Sequence, residues 1–99
     1  MDYHYWIDGS EFEWDEDKAE VNLRKHGVSF ELACEVFFDR NALSIADNSQ
    51  AYTEDRFLTL GMAGGCVVLL VVSTDRDPRI RLISARKATN RETQRYFRR

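Results

Sequence analysis

Residues 67–72 read Val-Val-Leu-Leu-Val-Val, an unbroken run of β-branched residues and leucine. A short run of this composition is typical of a strand that is buried on both faces, so we place it at the centre of a sheet. Gly64-Gly65 before the run predicts a hairpin turn from a strand at residues 56–62. Residues 75–78 after it predict a second turn, and residues 79–85 return as another strand.

Two helices are predicted upstream of these strands. Asp15 is a suitable N-cap for a helix over Glu16–His26, and Gly27 suits the left-handed position that ends a helix. A second helix is predicted from Ser29, because apolar residues at helical spacing form one stripe: Phe30, Ala33, Cys34, Phe37 and Phe38. Downstream, Thr89 and Glu92 form a capping box that predicts a last helix over residues 90–98.

These elements predict a single α+β domain over residues 1–99. Its sheet is expected to be mostly antiparallel and four-stranded, made of a possible strand at residues 42–46 and the three strands above. A brief strand is also predicted at residues 12–14, before the first helix. Two N-terminal helices pack on one face, and a C-terminal helix ends the chain. The other sheet face is expected to stay open, and residues 1–11 are interpreted as a loose leader or a short edge strand.

The cysteines and the apolar runs favour a cytoplasmic protein. Cys34 and Cys66 lie in apolar stretches and are interpreted as buried free thiols in a reducing compartment. The longest apolar run, residues 66–72, is too short to span a membrane. The acidic start at residues 1–17 holds no apolar signal segment.

Charge is distributed unevenly along the chain. Residues 1–75 carry five Lys/Arg against fifteen Asp/Glu, a balance of −10, whereas residues 76–99 carry nine against two, a balance of +7; the two add to the net −3. A basic end on an acidic body is typical of a polyanion site. A solvated basic helix end is the alternative.

The strand at residues 79–85 holds the most informative cations. Arg79 and Arg81 are predicted to share one sheet face, about 7 Å apart, where their planar guanidiniums suit phosphate groups. Arg86 closes the same strand. The alternative is that Asp75 and Asp77 neutralise Arg79 and Arg81 in surface ion pairs.

The last helix adds a basic stripe and two aromatic rings. Lys87, Arg91 and Arg95 are candidate RNA ligands, with Arg98 continuing the spacing, and a solvated face is the alternative. Tyr96 is a candidate for stacking on bases. Phe97 is interpreted as an apolar anchor of the helix on the sheet.

Three further candidate site residues lie outside the basic C-terminal region. Lys25 and His26 end the first predicted helix, where the helix dipole alone favours cations; alternatively, His26 moves a proton and Lys25 holds a phosphate. Arg56 opens a strand beside Glu54 and Asp55, so an ion pair is as plausible as a catalytic role. The two His and two Cys lack the spacing of a zinc site, and no phosphate-binding glycine loop is present.

A series of short motifs follows in a fixed order along the chain: Phe12-Glu13-Trp14-Asp15, Lys18-Ala19, Asn22, Lys25-His26-Gly27-Val28-Ser29-Phe30, Glu54 with Arg56-Phe57, residues 69–72, Arg79-Ile80-Arg81 and Ile83-Ser84-Ala85-Arg86-Lys87-Ala88-Thr89. In this joint order, which is specific, the chain resembles the BrnT family of toxins over residues 12–96. Residues 1–11 and 48–53 lie outside the pattern.

The resemblance implies a RelE-like fold and a ribonuclease that needs neither a metal nor another cofactor. It also implies a hetero-oligomer with a BrnA-type antitoxin, through which alone the complex reaches operator DNA. For RNA cleavage we expect Arg79, Arg81 and Arg86 to stabilise the phosphate in the transition state, with Arg56 and Lys25 in support. His26 is the proton-transfer candidate. A non-enzymatic module that binds nucleic acid or the antitoxin is the alternative.

Overall fold

The computed structural model describes residues 1–47 and 54–98, so the predicted loop at residues 48–53 lies outside it. Within these residues the protein has one six-stranded sheet in the order β1-β2-β6-β5-β4-β3. The strands are β1 Asp2–Ile7, β2 Ser10–Asp15, β3 Leu43–Ala46, β4 Phe57–Ala63, β5 Val67–Arg76 and β6 Arg79–Lys87. The helices are α1 Glu16–His26, α2 Phe30–Ala33 and α3 Asn90–Phe97, with a 3₁₀ segment at Cys34–Phe38.

The apolar run at residues 67–72 lies inside the sheet, as predicted. It belongs to β5, which pairs antiparallel with β4 on one side and with β6 on the other. Leu69 and Val71 are fully buried on one face, and on the other face Val68 is buried while Leu70 and Val72 are half-buried, which accounts for the absence of polar residues along this run. The α+β class is confirmed.

The N-terminal residues correct the predicted sheet. Of the two interpretations of residues 1–11, the edge strand is correct and the loose leader is wrong: β1 lies at the edge of the sheet and forms a hairpin with β2 through Asp8 and Gly9, which have φ of 48° and 81°. Positive φ at both turn residues defines the type I′ turn that Asp-Gly favours, so a sequence signal for this hairpin was present. Because β2 then pairs with β6 in parallel, the sheet is six-stranded and mixed, and the predicted four-stranded sheet is wrong.

The caps of the helices are as predicted, but the second helix is shorter than predicted. Asp15 accepts a hydrogen bond from the Lys18 amide at 3.0 Å, and Gly27 ends α1 with φ of 70°. The second predicted helix is only four residues long and continues as the 3₁₀ segment. That segment lies directly on β4, since a Cβ built at Gly61 would be 2.6 Å from the Val36 Cβ.

Two apolar clusters lie on opposite faces of the sheet. The larger one packs the first two helices and the 3₁₀ segment on what we call the helix face, with Phe12, Phe30 and Leu69 fully buried. A smaller cluster joins α3 to the other face through Leu60, Val68 and Tyr96. The second face, expected to be open, is therefore partly covered by α3; we call it the α3 face.

One buried side chain joins α1 to β6. The Asn22 amide nitrogen donates to the carbonyls of Val28 and Ala85 at 3.0 and 2.8 Å, and the Ala85 amide donates to the Asn22 oxygen at 3.1 Å. The pairing of β2 with β6 covers only Ile80 and Arg81, so Ala85 lies beyond the reach of β2. Asn22 therefore supplies the hydrogen bonds that a neighbouring strand would have made.

The two cysteines differ in their surroundings. Cys34 is buried as predicted, and desolvation raises the pKa of its thiol to about 12. Cys66 is exposed beside the β4–β5 turn, so the prediction that both thiols are buried is wrong for Cys66. None of the helices in the described residues is long and apolar enough to cross a membrane.

We predict that Asn22→Ala destabilises the protein by about 3 kcal/mol, because unsatisfied buried backbone groups cost about 1–3 kcal/mol each. Urea unfolding followed by circular dichroism measures the change. The control is Gln94→Ala, which removes an exposed amide from α3 and should stay within about 0.5 kcal/mol of the parent. A loss below about 1 kcal/mol for Asn22→Ala would contradict this role.

Candidate active site

A groove of about 320 Å³ runs between α1 and β6. One side of α1 forms its first wall, and β6 forms the second wall where β2 no longer pairs. The groove is lined by Asp17, Lys18, Val21, Asn22, Lys25, His26, Ile83 and Ser84. The structure thus places Lys25 and His26, two predicted catalytic residues, in one groove.

The α1–β6 groove is electropositive. Lys18 and Lys25 are exposed and form no ion pair within the described residues, and Asp17 is the one carboxylate among the lining residues. His26 is half-buried in the last turn of α1, where the helix dipole favours cations whatever their function. Two lysines and an imidazole in one groove can hold a phosphodiester and exchange a proton with a hydroxyl group beside it.

The groove opens onto the α3 face of β6 at Ser84. Across the β5–β6 pair, Arg81, Ser84 and Arg86 lie opposite Thr74, Val72 and Leu70 in that order. A register shift after Val72 keeps these three β6 residues on one face despite their uneven spacing. Since Ser84 also lines the groove, the groove and the arginine-bearing face form one continuous surface.

The structure corrects the expectation that Arg79 and Arg81 face solvent as free phosphate ligands. Arg81 donates from Nη1 to Glu13 at 2.6 Å and from Nη2 to Asp2 at 3.1 Å. The Arg79 Nε lies 3.4 Å from Glu11 and 3.8 Å from Glu13. Two guanidiniums among three carboxylates give this group a net charge of −1, which weakens its attraction for phosphate.

These carboxylates belong to the N-terminal hairpin and not to the 75–78 turn. The alternative is therefore right that the two arginines form ion pairs, but wrong that Asp75 and Asp77 are the partners. The hydrogen bond from Arg81 holds the pKa of Asp2 below its ordinary value, and the same contact raises the pKa of Arg81. Arg79 differs from Arg81, since its buried Nε makes no hydrogen bond of good geometry within residues 1–47 and 54–98.

Arg86 is held rigidly but keeps free donors. Its Nη1 and Nη2 donate to the two Glu92 oxygens at 2.8 and 3.0 Å, and Nη1 also donates to the Lys87 carbonyl. Glu92 is itself fixed as the acceptor of the Thr89 amide in the capping box. Of the five N–H donors of a guanidinium, Nε–H and one Nη2–H of Arg86 make no hydrogen bond to the described residues.

The three strand arginines do not form one cluster. Arg81 and Arg86 are five residues apart on β6, which corresponds to about 15 Å along a strand. Arg56 lies near Arg81, because the charges of both act on Glu54. The pKa of Glu54 is lowered, chiefly by the hydrogen bond from Arg76. Arg86 lies apart from this group, near Ser84 and the groove.

The predicted RNA ligands near the C-terminus have separate surroundings. Lys87 pairs with the core residue Leu69, so it lies on the helix face, away from Arg86. Arg91 and Arg95 are exposed on α3.

Among the residues described, no group of three or more His, Cys, Asp or Glu side chains is arranged to hold a metal.

The roles predicted for the two aromatic residues of α3 are reversed. Tyr96 is 5% exposed, packs on Leu60 and Val68, and donates its hydroxyl to Asp39. It anchors α3 and is not available for stacking on bases. Phe97, the predicted anchor, is 63% exposed. The spacing of apolar residues in a helix this short does not by itself show which of two adjacent aromatic rings faces the sheet.

The fold and this surface define a small α+β domain with a cationic groove beside arginines of its sheet. Residues 14–92 match the family model described as "Ribonuclease toxin, BrnT, of type II toxin-antitoxin system". The chain belongs to this family, as its sequence motifs predict.

A solved structure is similar over most of the chain. It is the 1.1 Å crystal structure of the Brucella abortus ribonuclease toxin BrnT, 26% identical, with a TM-score of 0.62, covering 78% of this chain and 94% of that one. No curated protein matches significantly. The family match begins at residue 14, so β1 and most of β2 lie outside it.

We predict that Glu92→Gln lowers stability at pH 7 by about 1–2 kcal/mol, because it removes the charge that binds Arg86. The hydrogen bonds from Arg86 lower the pKa of Glu92 from 4.5 to about 2. A depressed carboxyl pKa contributes stability that is complete above pH 4.5 and is lost as the pH falls through about 2.

Urea unfolding of the parent and the variant between pH 7 and pH 2 tests this prediction. The two free energies of unfolding should converge as the pH falls below 4.5. Glu20→Gln, an exposed glutamate of α1 with no ion pair in the described residues, is the control and should change little. A Glu92→Gln difference that stays constant across the range would refute the account.

Proposed function

We propose that this member of the BrnT family is a metal-independent endoribonuclease that cleaves RNA at the α1–β6 groove. The observation that carries the proposal is the position of Ser84, which lies between Arg81 and Arg86 on β6 and lines the groove that holds Lys25 and His26. A phosphodiester lying over Ser84 would have the His26 imidazole on one side and the fixed guanidinium of Arg86 on the other.

The reaction uses the RNA's own 2′-hydroxyl as nucleophile. This oxygen attacks the adjacent phosphorus while a base takes its proton, and the P–O5′ bond breaks as the leaving oxygen receives a proton. The products are a 2′,3′-cyclic phosphate and a 5′-hydroxyl. Because the nucleophile belongs to the substrate, no metal-activated water is needed. His26 is the residue best suited to move these protons.

Lys25 and Arg86 stabilise the extra negative charge on the pentacoordinate phosphate. A fixed donor of this kind is worth about 3 kcal/mol in the transition state. Arg86 suits the role because Glu92 orients it in advance while leaving Nε–H available. Arg56, Arg79 and Arg81 have a supporting role, since their group shares its charge with carboxylates of the same chain.

The family also defines the partner. A type II toxin is paired with an antitoxin protein. We propose that a BrnA-type antitoxin neutralises this chain in a cytoplasmic hetero-oligomer, and that operator DNA is contacted only through that antitoxin. Lys87, Arg91 and Arg95 remain candidates for contacts with flanking phosphates, because all three are exposed.

A second candidate is a binding module without catalysis. The observation that favours it is the pairing of Arg79, Arg81 and Arg86 with carboxylates of their own chain. Such pairs stabilise a fold without any reaction. Retardation of RNA on a gel, with no cleavage products, would support this candidate over the enzyme.

The purified protein, freed of antitoxin and given RNA in EDTA, should produce 2′,3′-cyclic phosphate ends. We predict that His26→Ala lowers the cleavage rate at least about a hundredfold, and that Lys25→Ala does so to a similar extent.

Arg24→Ala is the matched control for the Lys25 variant. Arg24 is an exposed cation in the same helical turn but does not line the groove, so its loss changes the helix dipole equally and should leave the rate within about twofold. Equal effects of Arg24→Ala and Lys25→Ala would exclude a specific role of the groove. Full activity of His26→Ala with an unchanged pH profile would remove His26 from the mechanism.

A further inference from the structure

The α3 face carries a second groove, which none of the proposed catalytic residues lines. Its volume is about 330 Å³, and its walls are aliphatic side chains of β3, β4 and β5 together with one side of α3. We call it the aliphatic groove; it is lined by Leu43, Ile45, Leu58, Leu60, Leu70, Glu92 and Arg95. Ile45 on the terminal strand β3 is 57% exposed, a large apolar side chain left in water.

An exposed arginine of α3, Arg95, lines this groove. Arg91 lies one turn earlier on α3, Arg98 is the C-cap of that helix, and both are exposed. None of them forms an ion pair with a carboxylate in residues 1–47 or 54–98. The one carboxylate in the lining, Glu92, is already occupied by Arg86. The rim is therefore positive, whereas the floor is apolar.

We propose that the aliphatic groove is the docking surface for an acidic amphipathic segment of the antitoxin. Its apolar side chains fill the space over Leu58 and Leu70, and its carboxylates pair with Arg95 and the neighbouring arginines. The charge pattern supports this occupant, because an unpaired basic rim around an apolar floor complements a segment with one acidic and one apolar face. The inference rests on the proposed function, which supplies the antitoxin.

The chemistry of the floor favours a protein over RNA. Single-stranded RNA is bound by aromatic rings on which bases stack. Among the described residues of the lining, the apolar ones are leucine and isoleucine. A floor of this kind accommodates aliphatic side chains of a protein segment, as in other grooves that bind an amphipathic helix.

Occupation of the aliphatic groove would also explain neutralisation. Leu70 on its floor lies directly opposite Arg86 in the β5–β6 pair. A segment seated over Leu70 therefore brings a carboxylate within reach of the guanidinium that we assign to the phosphate. The antitoxin then blocks the site by competing for Arg86, without contacting His26.

The test uses the full-length toxin and its purified cognate antitoxin, with affinity measured by titration calorimetry at low and high salt. Ile45→Asp and Arg95→Glu should each weaken binding at least about tenfold, and Arg95→Glu should also reduce the salt dependence. Ile45 is already mostly exposed, so the first variant should fold, which thermal unfolding checks. RNA cleavage by free Ile45→Asp should be unchanged.

Two matched controls place the same changes elsewhere. Leu23→Asp alters an apolar side chain that is 49% exposed on α1, and Arg24→Glu reverses an unpaired arginine there. Both should bind the antitoxin normally. Normal binding by Ile45→Asp and Arg95→Glu, or weakened binding by Leu23→Asp instead, would overturn the proposal.

RNA is the other occupant that the experiment examines. If Ile45→Asp weakens binding of a short single-stranded RNA but leaves the antitoxin's affinity unchanged, the groove belongs to RNA and the inference is wrong. The outcomes are separable from those of the catalytic proposal. A toxin that is inactive on RNA, yet loses antitoxin binding in Ile45→Asp, would refute the ribonuclease mechanism and support the docking surface.

Discussion

The contact between Asn22 and Ala85 is the interaction on which the candidate site depends. β6 is no longer paired with β2 after Arg81. Because helix α1 packs against this edge of β6, the backbone groups there need other hydrogen-bond partners. The Asn22 amide bonds both backbone groups of Ala85 and also the Val28 carbonyl that follows the helix. The same bonds fix the turn of α1 that carries Lys25 and His26 beside Ser84, so one buried amide sets the geometry of the groove.

Charge segregation along the chain has a structural as well as a functional meaning. The acidic body and the basic end meet in the sheet, where Asp2, Glu11 and Glu13 of the N-terminal hairpin face Arg79 and Arg81 of β6. Much of the positive charge that predicts a polyanion site therefore joins strands that are distant in sequence. Among the described residues, exposed cations without an ion pair include Lys18 and Lys25 at the α1–β6 groove and Arg95 at the aliphatic groove, whereas Lys87 on β6 lies at neither.

Local patterns in the sequence predict local structure well. The run at residues 67–72, the caps Asp15 and Gly27 and the Thr89–Glu92 box each depend on neighbours within a few residues, and the structure contains all of them. The parallel pairing of β2 with β6 joins residues nearly seventy positions apart. No periodicity reports such pairing, so the partners of Arg79 and Arg81 could not be predicted. The Asp8-Gly9 turn could have been, since its sequence signal is local.

Hydrogen exchange at the Ala85 amide tests the central claim most directly. An amide at the edge of β6 without a strand partner would exchange quickly, whereas one bonded to a buried asparagine is protected until the structure opens. The account predicts that NMR-detected exchange of this amide is as slow as that of the buried β5 amides, such as Val71, and is fast in a folded Asn22 variant. Rapid exchange at Ala85 in the parent protein would show that Asn22 does not hold α1 on β6, and the groove would lose its basis.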